Sequence, residues 1–406
     1  MTRSRMPHLP LVLPFVFLVL LAPLVKAQTT NEDCLSCHSD ESLTTERGGK
    51  EHSLFVNAAL LKQSPHAKLS CVACHTGFDK DNIPHKENIT PIKCLTCHND
   101  APRKHAFHPN MVRATGTNGT PDISCKTCHG RHDVVSSEVP GSKFSKGMQT
   151  QTCGKCHADA QHDFLTSAHA KALSENAPGA PTCVTCHSID IVLAKNRADS
   201  AATKIAQEKV CHSCHLDDPN VRARTSPTSK FIASYENSVH GKALQEGNAR
   251  AANCVNCHGS HEMKKGLDPG SRVNKTHIPE TCAGCHSQAS EEFKESVHGL
   301  AAARGNKDAP VCTDCHGEHN ILAPSDPESR VAARNISRQV CSPCHSSVKL
   351  SEKYGLASDR FKTFSDSYHG LANEAGSIEV ANCSSCHRNH DIRRSNDPGS
   401  SVNKAN

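Results

Sequence analysis

A single long apolar run lies near the N-terminus, and none follows it. Leu9–Val25 is almost unbroken hydrophobic sequence, preceded by Arg3 and Arg5 and followed by Lys26 and Ala27, with small residues at the cleavage-type positions. That pattern predicts a secretory signal over residues 1–27. The competing use of such a run is an uncleaved membrane anchor, for which a stretch interrupted by Pro10, Pro14 and Pro23 is short. Farther along, no segment is long and apolar enough to cross a bilayer. The 23 Gly and 22 Pro of the whole chain predict short helices joined by turns in place of long regular elements.

A chain of 406 residues would ordinarily build two or three domains around apolar cores. This one has no Trp, three Tyr and 3% aromatic residues, so its own side chains make a poor core. The cysteines explain what replaces it. All 24 fall into twelve copies of Cys-x-x-Cys-His, with none left over. The copies are Cys34, Cys37 and His38; Cys71, Cys74 and His75; Cys94, Cys97 and His98; Cys125, Cys128 and His129; Cys153, Cys156 and His157; and Cys183, Cys186 and His187. They continue with Cys211, Cys214 and His215; Cys254, Cys257 and His258; Cys282, Cys285 and His286; Cys312, Cys315 and His316; Cys341, Cys344 and His345; and Cys383, Cys386 and His387.

Two thiols three positions apart reach the two vinyl groups on one edge of a porphyrin, and the next residue turns its imidazole under the iron. Zinc would want closed four-ligand clusters and has no need of His after every second Cys, and dithiol redox chemistry has none either. The cofactor expected is therefore covalent haem c, twelve per chain. At about 34 residues per motif, porphyrin supplies most of the apolar surface to be buried. The expected fold is a multihaem cytochrome c: short α-helices and irregular loops around haems, little or no β-sheet, and an elongated arrangement.

Charge then narrows the partners. Removing Arg3, Arg5 and Lys26 with the signal lowers the formal net charge from +5 to +2, and every haem adds two propionates. Lys and Arg are scattered and form no basic stripe, which argues against nucleic acid.

The motifs repeat. Cys125 to Cys254, Cys153 to Cys282, Cys183 to Cys312 and Cys254 to Cys383 are each 129 residues apart, and Cys211 to Cys341 is 130. This divides the chain into a trihaem region over 28–124, tetrahaem repeats over 125–253 and 254–382, and the start of a third repeat over 383–406. The register puts the next motif near position 411, so the sequence reads as a fragment or as ending in a degenerate unit. The smaller unit is a dihaem, and two further histidines travel with it. One stands fourteen residues before a first Cys, in a Ser-x-His-(Gly/Ala) setting, at His169, His240, His298 and His369. The other stands seven after a first Cys, at His132, His261, His319 and His390.

Histidine on both faces of each iron is the expected coordination. Twelve of the 29 His belong to motifs and His8 to the signal, leaving sixteen for twelve positions. In the second repeat His261, His298, His319 and His369 are allotted to its four irons, with His277 spare. In the first repeat Asp190 occupies the slot equivalent to His319, with His212, or alternatively His162, as substitute. Met111 occupies the slot fourteen before Cys125, with His108 three residues earlier. In the trihaem region the candidates are His52, His66, His85, His105 and His108, of which His66, His85 and His108 are favoured.

The runs Ser238-Val-His-Gly and Ser296-Val-His-Gly, followed by Cys-x-x-Cys-His-Gly-x-His at Cys254 and Cys312, resemble exported multihaem c-type cytochromes of anaerobically respiring bacteria. The resemblance covers nearly the whole mature chain. It implies an electron conduit between redox partner proteins, such as a quinol-oxidising donor, a terminal reductase or other cytochromes. It also implies export to the periplasm or beyond; membrane association, an oligomer and a filament all stay open. The rival is an oxidoreductase acting on nitrite, hydroxylamine, a sulfur oxyanion or a metal ion at one open iron. Against it, the Cys-x-x-Cys-Lys signature of nitrite-reducing relatives is absent from all twelve motifs. An open iron is expected, if anywhere, at the Asp190 and Met111 slots.

Overall fold

The computed structural model describes residues 30–77, 79, 85, 90, 92–105, 108, 124–187, 200–226, 228 and 230–406. They divide between Lys93 and Cys94 into two units. The signal, Met111 and Asp190 lie outside the described residues.

In the first unit, helix Asn31–His38 starts on Thr30, whose hydroxyl accepts from the Asp33 N–H while Asp33 accepts from the Thr30 N–H. The Asn31 side chain then ties this helix to the next motif, accepting from the Cys71 N–H at 2.8 Å and donating to the Leu69 carbonyl at 3.0 Å. Between them Thr44–Arg47 and Lys50–Ser53 pair antiparallel, Thr44 opposite Ser53. Gly48 and Gly49 make that two-residue turn at φ +57° and +72°, the left-handed geometry a tight hairpin requires. This is the sole sheet among the described residues. Short helices, loops and one hairpin are what the haem-centred fold class predicted.

The second unit alternates two settings of the motif. At Cys125, Cys183, Cys254, Cys312 and Cys383 the motif begins its own short helix, as in Cys254–His258 and Cys312–His316. Asn253 caps the first of these, its side chain accepting from the Asn256 N–H, and Asp314 accepts from the Val311 N–H at the second. At Cys153, Cys211, Cys282 and Cys341 the first Cys instead lies in the last turns of a preceding helix, as in Ile278–Ala283 or the 15-residue Ala201–His215.

Apolar burial is thin. The buried hydrophobic residues are mostly Ala and Val, and Leu244 is the one large apolar side chain fully buried. Polar stitching does more of the joining. Helix Ala201–His215 is sewn to the segment before Cys254: Lys204 Nζ donates to the Ala251 carbonyl at 2.7 Å, and Asn253 Nδ2 donates to Gln207 Oε1 at 2.8 Å. The Tyr235 hydroxyl donates to buried Glu208 at 2.6 Å. Burial raises the Glu208 carboxyl above its ordinary pKa, against the lowering effect of that hydrogen bond.

The residue after the motif histidine explains one recurrent glycine. Gly130, Gly259 and Gly317 sit at φ +84°, +81° and +85°, and the fourth such position is Arg388 at φ +63°. Arg388 has ψ −171°, an extended positive-φ conformation open mainly to glycine, and a side chain there costs on the order of 1–3 kcal/mol. Arg388→Gly is therefore expected to stabilise the holoprotein by about that amount, because the exposed Arg388–Asp391 pair it removes contributes little. The thermal midpoint of the variant, recorded beside the parent, measures it.

Candidate haem-ligation sites

The Ser-x-His-Gly run is a capped helix start, which is why its serine accompanies the histidine. Ser238, Ser296 and Ser367 each accept from the N–H three residues on, at 3.0–3.2 Å, and each donates its hydroxyl proton to the carbonyl three residues back. The histidine of the run is thereby fixed in the first helical turn. Burial lowers the pKa of His169 and His240, and pushes His298 down to about 4, so these imidazoles stay neutral, the form that ligates a metal.

Each of these rings faces a motif histidine. The ring centroids of His169 and His215 are 6.2 Å apart, of His240 and His286 6.1 Å, and of His298 and His345 6.2 Å. The histidines seven after a first Cys do likewise: His261 faces His187 at 6.0 Å, His319 faces His258 at 6.0 Å and His390 faces His316 at 6.0 Å. His85 faces His38 at 6.1 Å, His108 faces His157 at 5.8 Å, and His105 faces His129 at 5.7 Å. A metal–imidazole nitrogen bond is about 2.0 Å, so two imidazoles on opposite sides of one metal put their ring centroids about 6 Å apart. The residues therefore fit a haem iron between each pair.

The other ring nitrogen is held where it would orient the ligand. Nδ1 of His38 meets the Leu54 carbonyl at 2.9 Å, Nδ1 of His105 the Ala101 carbonyl at 2.8 Å, and Nδ1 of His390 the Glu292 carboxylate at 3.5 Å. Aromatic rings pack against some motif histidines: Phe144 stacks on His129 at 4.7 Å, and Phe231 sits between His215 and His319.

The sulfurs bring successive motifs together. First cysteines meet within hydrogen-bond reach at Cys94 and Cys125, Cys153 and Cys183, Cys211 and Cys254, Cys282 and Cys312, and Cys341 and Cys383. In the first unit Cys34 and Cys71 do the same. Accepting that bond lowers Cys183 and Cys312 to about 7 and Cys383 to about 6. Among the second cysteines, burial raises Cys128, Cys186, Cys257 and Cys315, and the charge of Cys156, Cys214, Cys285 and Cys344 respectively adds to it.

Several allotments differ from the sequence reading. In the second repeat the rings facing its four motif histidines are His319, His240, His390 and His298, so His261 faces back to His187 of the first repeat. The ring opposite His129 is His105; His212 lies instead 4.0 Å from Glu236 and His162 is on helix Ala158–Leu165. Asp190 and Met111, the slots at which an open iron is expected, lie outside the described residues, and histidine rings face both His129 and His157. His369 has Tyr368 beside it at 5.8 Å and no histidine ring opposite. His277 turns Nδ1 to the Ser271 carbonyl at 2.9 Å. His52 is exposed on the hairpin, His66 follows helix Ala58–Gln63, and His132 follows helix Cys125–His129. Spacing alone could not show which motif a given histidine serves, because the two lie 46 to 74 residues apart in the second unit's repeats. His105 belongs to the irregular region and had no repeat partner to mark it.

The Ser296 cap gives a local test. Ser296→Ala is expected to cost about 1 kcal/mol, read from chemical denaturation of the holoprotein.

The sequence model of the cytochrome c3 family matches residues 64–158. The multiheme cytochrome MtrA of Shewanella baltica (strain OS185) is 24% identical over 206 residues, 48% of this chain and 52% of that protein. The high-molecular-weight cytochrome c of Nitratidesulfovibrio vulgaris is 24% identical over 327 residues, 70% of this chain and 53% of that protein. The cytochrome c-type protein NrfB of Escherichia coli O6:H1 is 24% identical over 171 residues, 39% and 84% respectively. The chain spans about half the length of the first two, and no solved structure matches it. With motif, facing imidazoles and relatives in agreement, the chain is a multihaem c-type cytochrome.

Proposed function

We propose that the protein is an exported dodecahaem cytochrome that conducts electrons in anaerobic respiration. The observation that carries this reading is the set of imidazoles facing one another about 6 Å apart at motif after motif. Bound haem supplies a one-electron iron couple. The chain's own residues do the rest. Imidazoles on both faces leave no room for a substrate at the metal. Burial, Phe144, Phe231 and the Nδ1 partners of His38, His105 and His390 tune and orient the ligands.

The assignment of His85, His105, His108, His169, His240, His261, His298, His319 and His390 as distal ligands is part of this proposal. So is a periplasmic location behind a signal over 1–27, with redox proteins as donors and acceptors. Three relatives that are themselves cytochromes support the class of partner. Among the described residues no helix is long and apolar enough to span a membrane.

Intact mass together with a haem assay on the holoprotein should give twelve haems per chain. His298→Ala should convert one low-spin haem, that of His345, to high spin in quantitative electron paramagnetic resonance. An unchanged low-spin count in the folded variant would refute the axial pairing.

A further inference from the structure

One buried acid lies between two motifs and has no part in the ligation described above. Glu208 stands on helix Ala201–His215, three residues before Cys211, and is 3% exposed. Its negative charge acts on Cys211 and on Cys254, the two first cysteines that meet at this junction, and works to raise both thiols. In the holoprotein those sulfurs are thioethers, so Glu208 lies beside the attachment edges of two haems. Burying a carboxyl is costly unless it is hydrogen-bonded, and Tyr235 is the partner it has.

This pair departs from the repeat in both of its members. The residue three before the serine of each Ser-x-His run is Phe164, Tyr235, Phe293 or Phe364, and its carbonyl accepts from that serine in every case. Packing there asks only for an aromatic ring, so the hydroxyl is an addition at 235. The period partner of Glu208 is Arg338, which is exposed and pairs with Glu374 at 3.2 Å. Acid and hydroxyl thus occur together in one repeat, and Arg338 and Phe364 replace both in the other. The Tyr235 hydroxyl has one proton and two acceptors in reach, Glu208 Oε1 at 2.6 Å and the Ala252 carbonyl at 2.9 Å. With Glu208 ionised, the hydroxyl donates to the carboxylate. With Glu208 protonated, the acid donates to the Tyr235 oxygen and the hydroxyl turns to Ala252. The same two partners satisfy both protonation states, a provision that a permanently ionised or permanently neutral acid does not need.

We propose that Glu208 is a redox-linked proton site for the haems of the Cys211 and Cys254 motifs, with Tyr235 as the hydroxyl that turns with it. The site requires haem at those two motifs and no particular choice of distal histidine. When one electron from a redox partner protein reduces an iron at this junction from Fe(III) to Fe(II), the added negative charge favours the neutral carboxyl, and Glu208 takes one proton from water. Oxidation returns both. Burial is the largest influence on Glu208 and favours the acid; the Tyr235 hydrogen bond and the charge of His212, one turn ahead, oppose it, and Glu236 adds to it. Lys204, one turn back, is turned to the Ala251 carbonyl. Arg222, Arg224, His240 and Lys242, on the helices packed against Ala201–His215, do not act on the carboxyl. By reciprocity, protonating Glu208 raises the potential of the haems beside it.

The test follows the redox potentials of the 406-residue holoprotein against pH, together with the infrared difference between its oxidised and reduced forms. The potentials of the haems at this junction should fall as pH rises between the Glu208 pKa of the oxidised state and that of the reduced state. Glu208→Gln should remove that fall. Parent and variant should coincide at low pH, where the acid is neutral in both redox states, and part at high pH, where the parent's carboxylate holds its potentials lower. Full reduction of the parent should take up more protons than that of the variant, by up to about one per chain. A carboxyl C=O band that appears on reduction of the parent and is missing from Glu208→Gln places the proton on this residue. Tyr235→Phe, which copies Phe364, removes a bond that favours the carboxylate, so proton uptake should persist and move to higher pH. If the parent gains no such band at any pH, or if Glu208→Gln keeps both the band and the parent's pH profile, the site is wrong. Should Glu208→Gln fail to mature, Tyr235→Phe decides: losing the hydroxyl must move the band, and an unmoved band overturns the site. The intact mass of each variant keeps loss of a haem apart from loss of the proton site.

Discussion

What organises this structure is the facing of two imidazoles about 6 Å apart at motif after motif. The chain has little else with which to specify a fold: one fully buried leucine, a scatter of alanines and valines, and serines and asparagines buried because they cap helices. Burial of apolar surface normally fixes the relative positions of helices. Here most helices are short, and on the proposed ligation what positions them is the pair of imidazoles each site would present to one iron. The polypeptide supplies the geometry of ligation and the porphyrin supplies the hydrophobic volume.

That constraint has a consequence for the repeat. Some facing rings are drawn from different repeats: His240 precedes Cys254 yet faces His286, and His390 follows Cys383 yet faces His316, whereas His258 with His319 and His298 with His345 pair within one repeat. Neither tetrahaem repeat completes all four of its own pairs. A tandem array of this kind is held together by its nearest-neighbour junctions, much as solenoid repeats are. The junctions add a backbone hydrogen bond from the Ser-x-His helix and, at Arg393 and Glu295, an ion pair at 2.8 Å. On the proposed ligation, the pairing of imidazoles across repeats would fix the order of the sites along the chain, the same order that the proposed electron path requires.

How much of this was legible in the sequence follows from which contacts are local. The motif, its histidine and its following glycine are all made within one turn, so cysteine spacing read them directly. The seven-after and fourteen-before histidines were visible as fixed offsets, and the serine beside the latter could be seen before its capping role was known. What each histidine faces was not legible, since that depends on how one module lies against the next. For that reason spacing allots His369 an iron of its own repeat and offers His212, or alternatively His162, as the substitute at the Asp190 slot. Position 129 found its facing ring instead in the irregular region before the repeats, where periodicity carries no information.

Arg388 shows how the fold tolerates local cost at its end. Three of the four residues following such motif histidines are glycines at positive φ, and the fourth is an arginine at φ +63°. The turn must still be made there, because it sends the chain on to His390, whose ring faces His316 and whose Nδ1 is turned to Glu292. The Arg388–Asp391 ion pair spans the same turn. Requiring His390 opposite His316 fixes the left-handed residue from outside, so a locally disfavoured conformation persists at the position where the global arrangement leaves it no alternative.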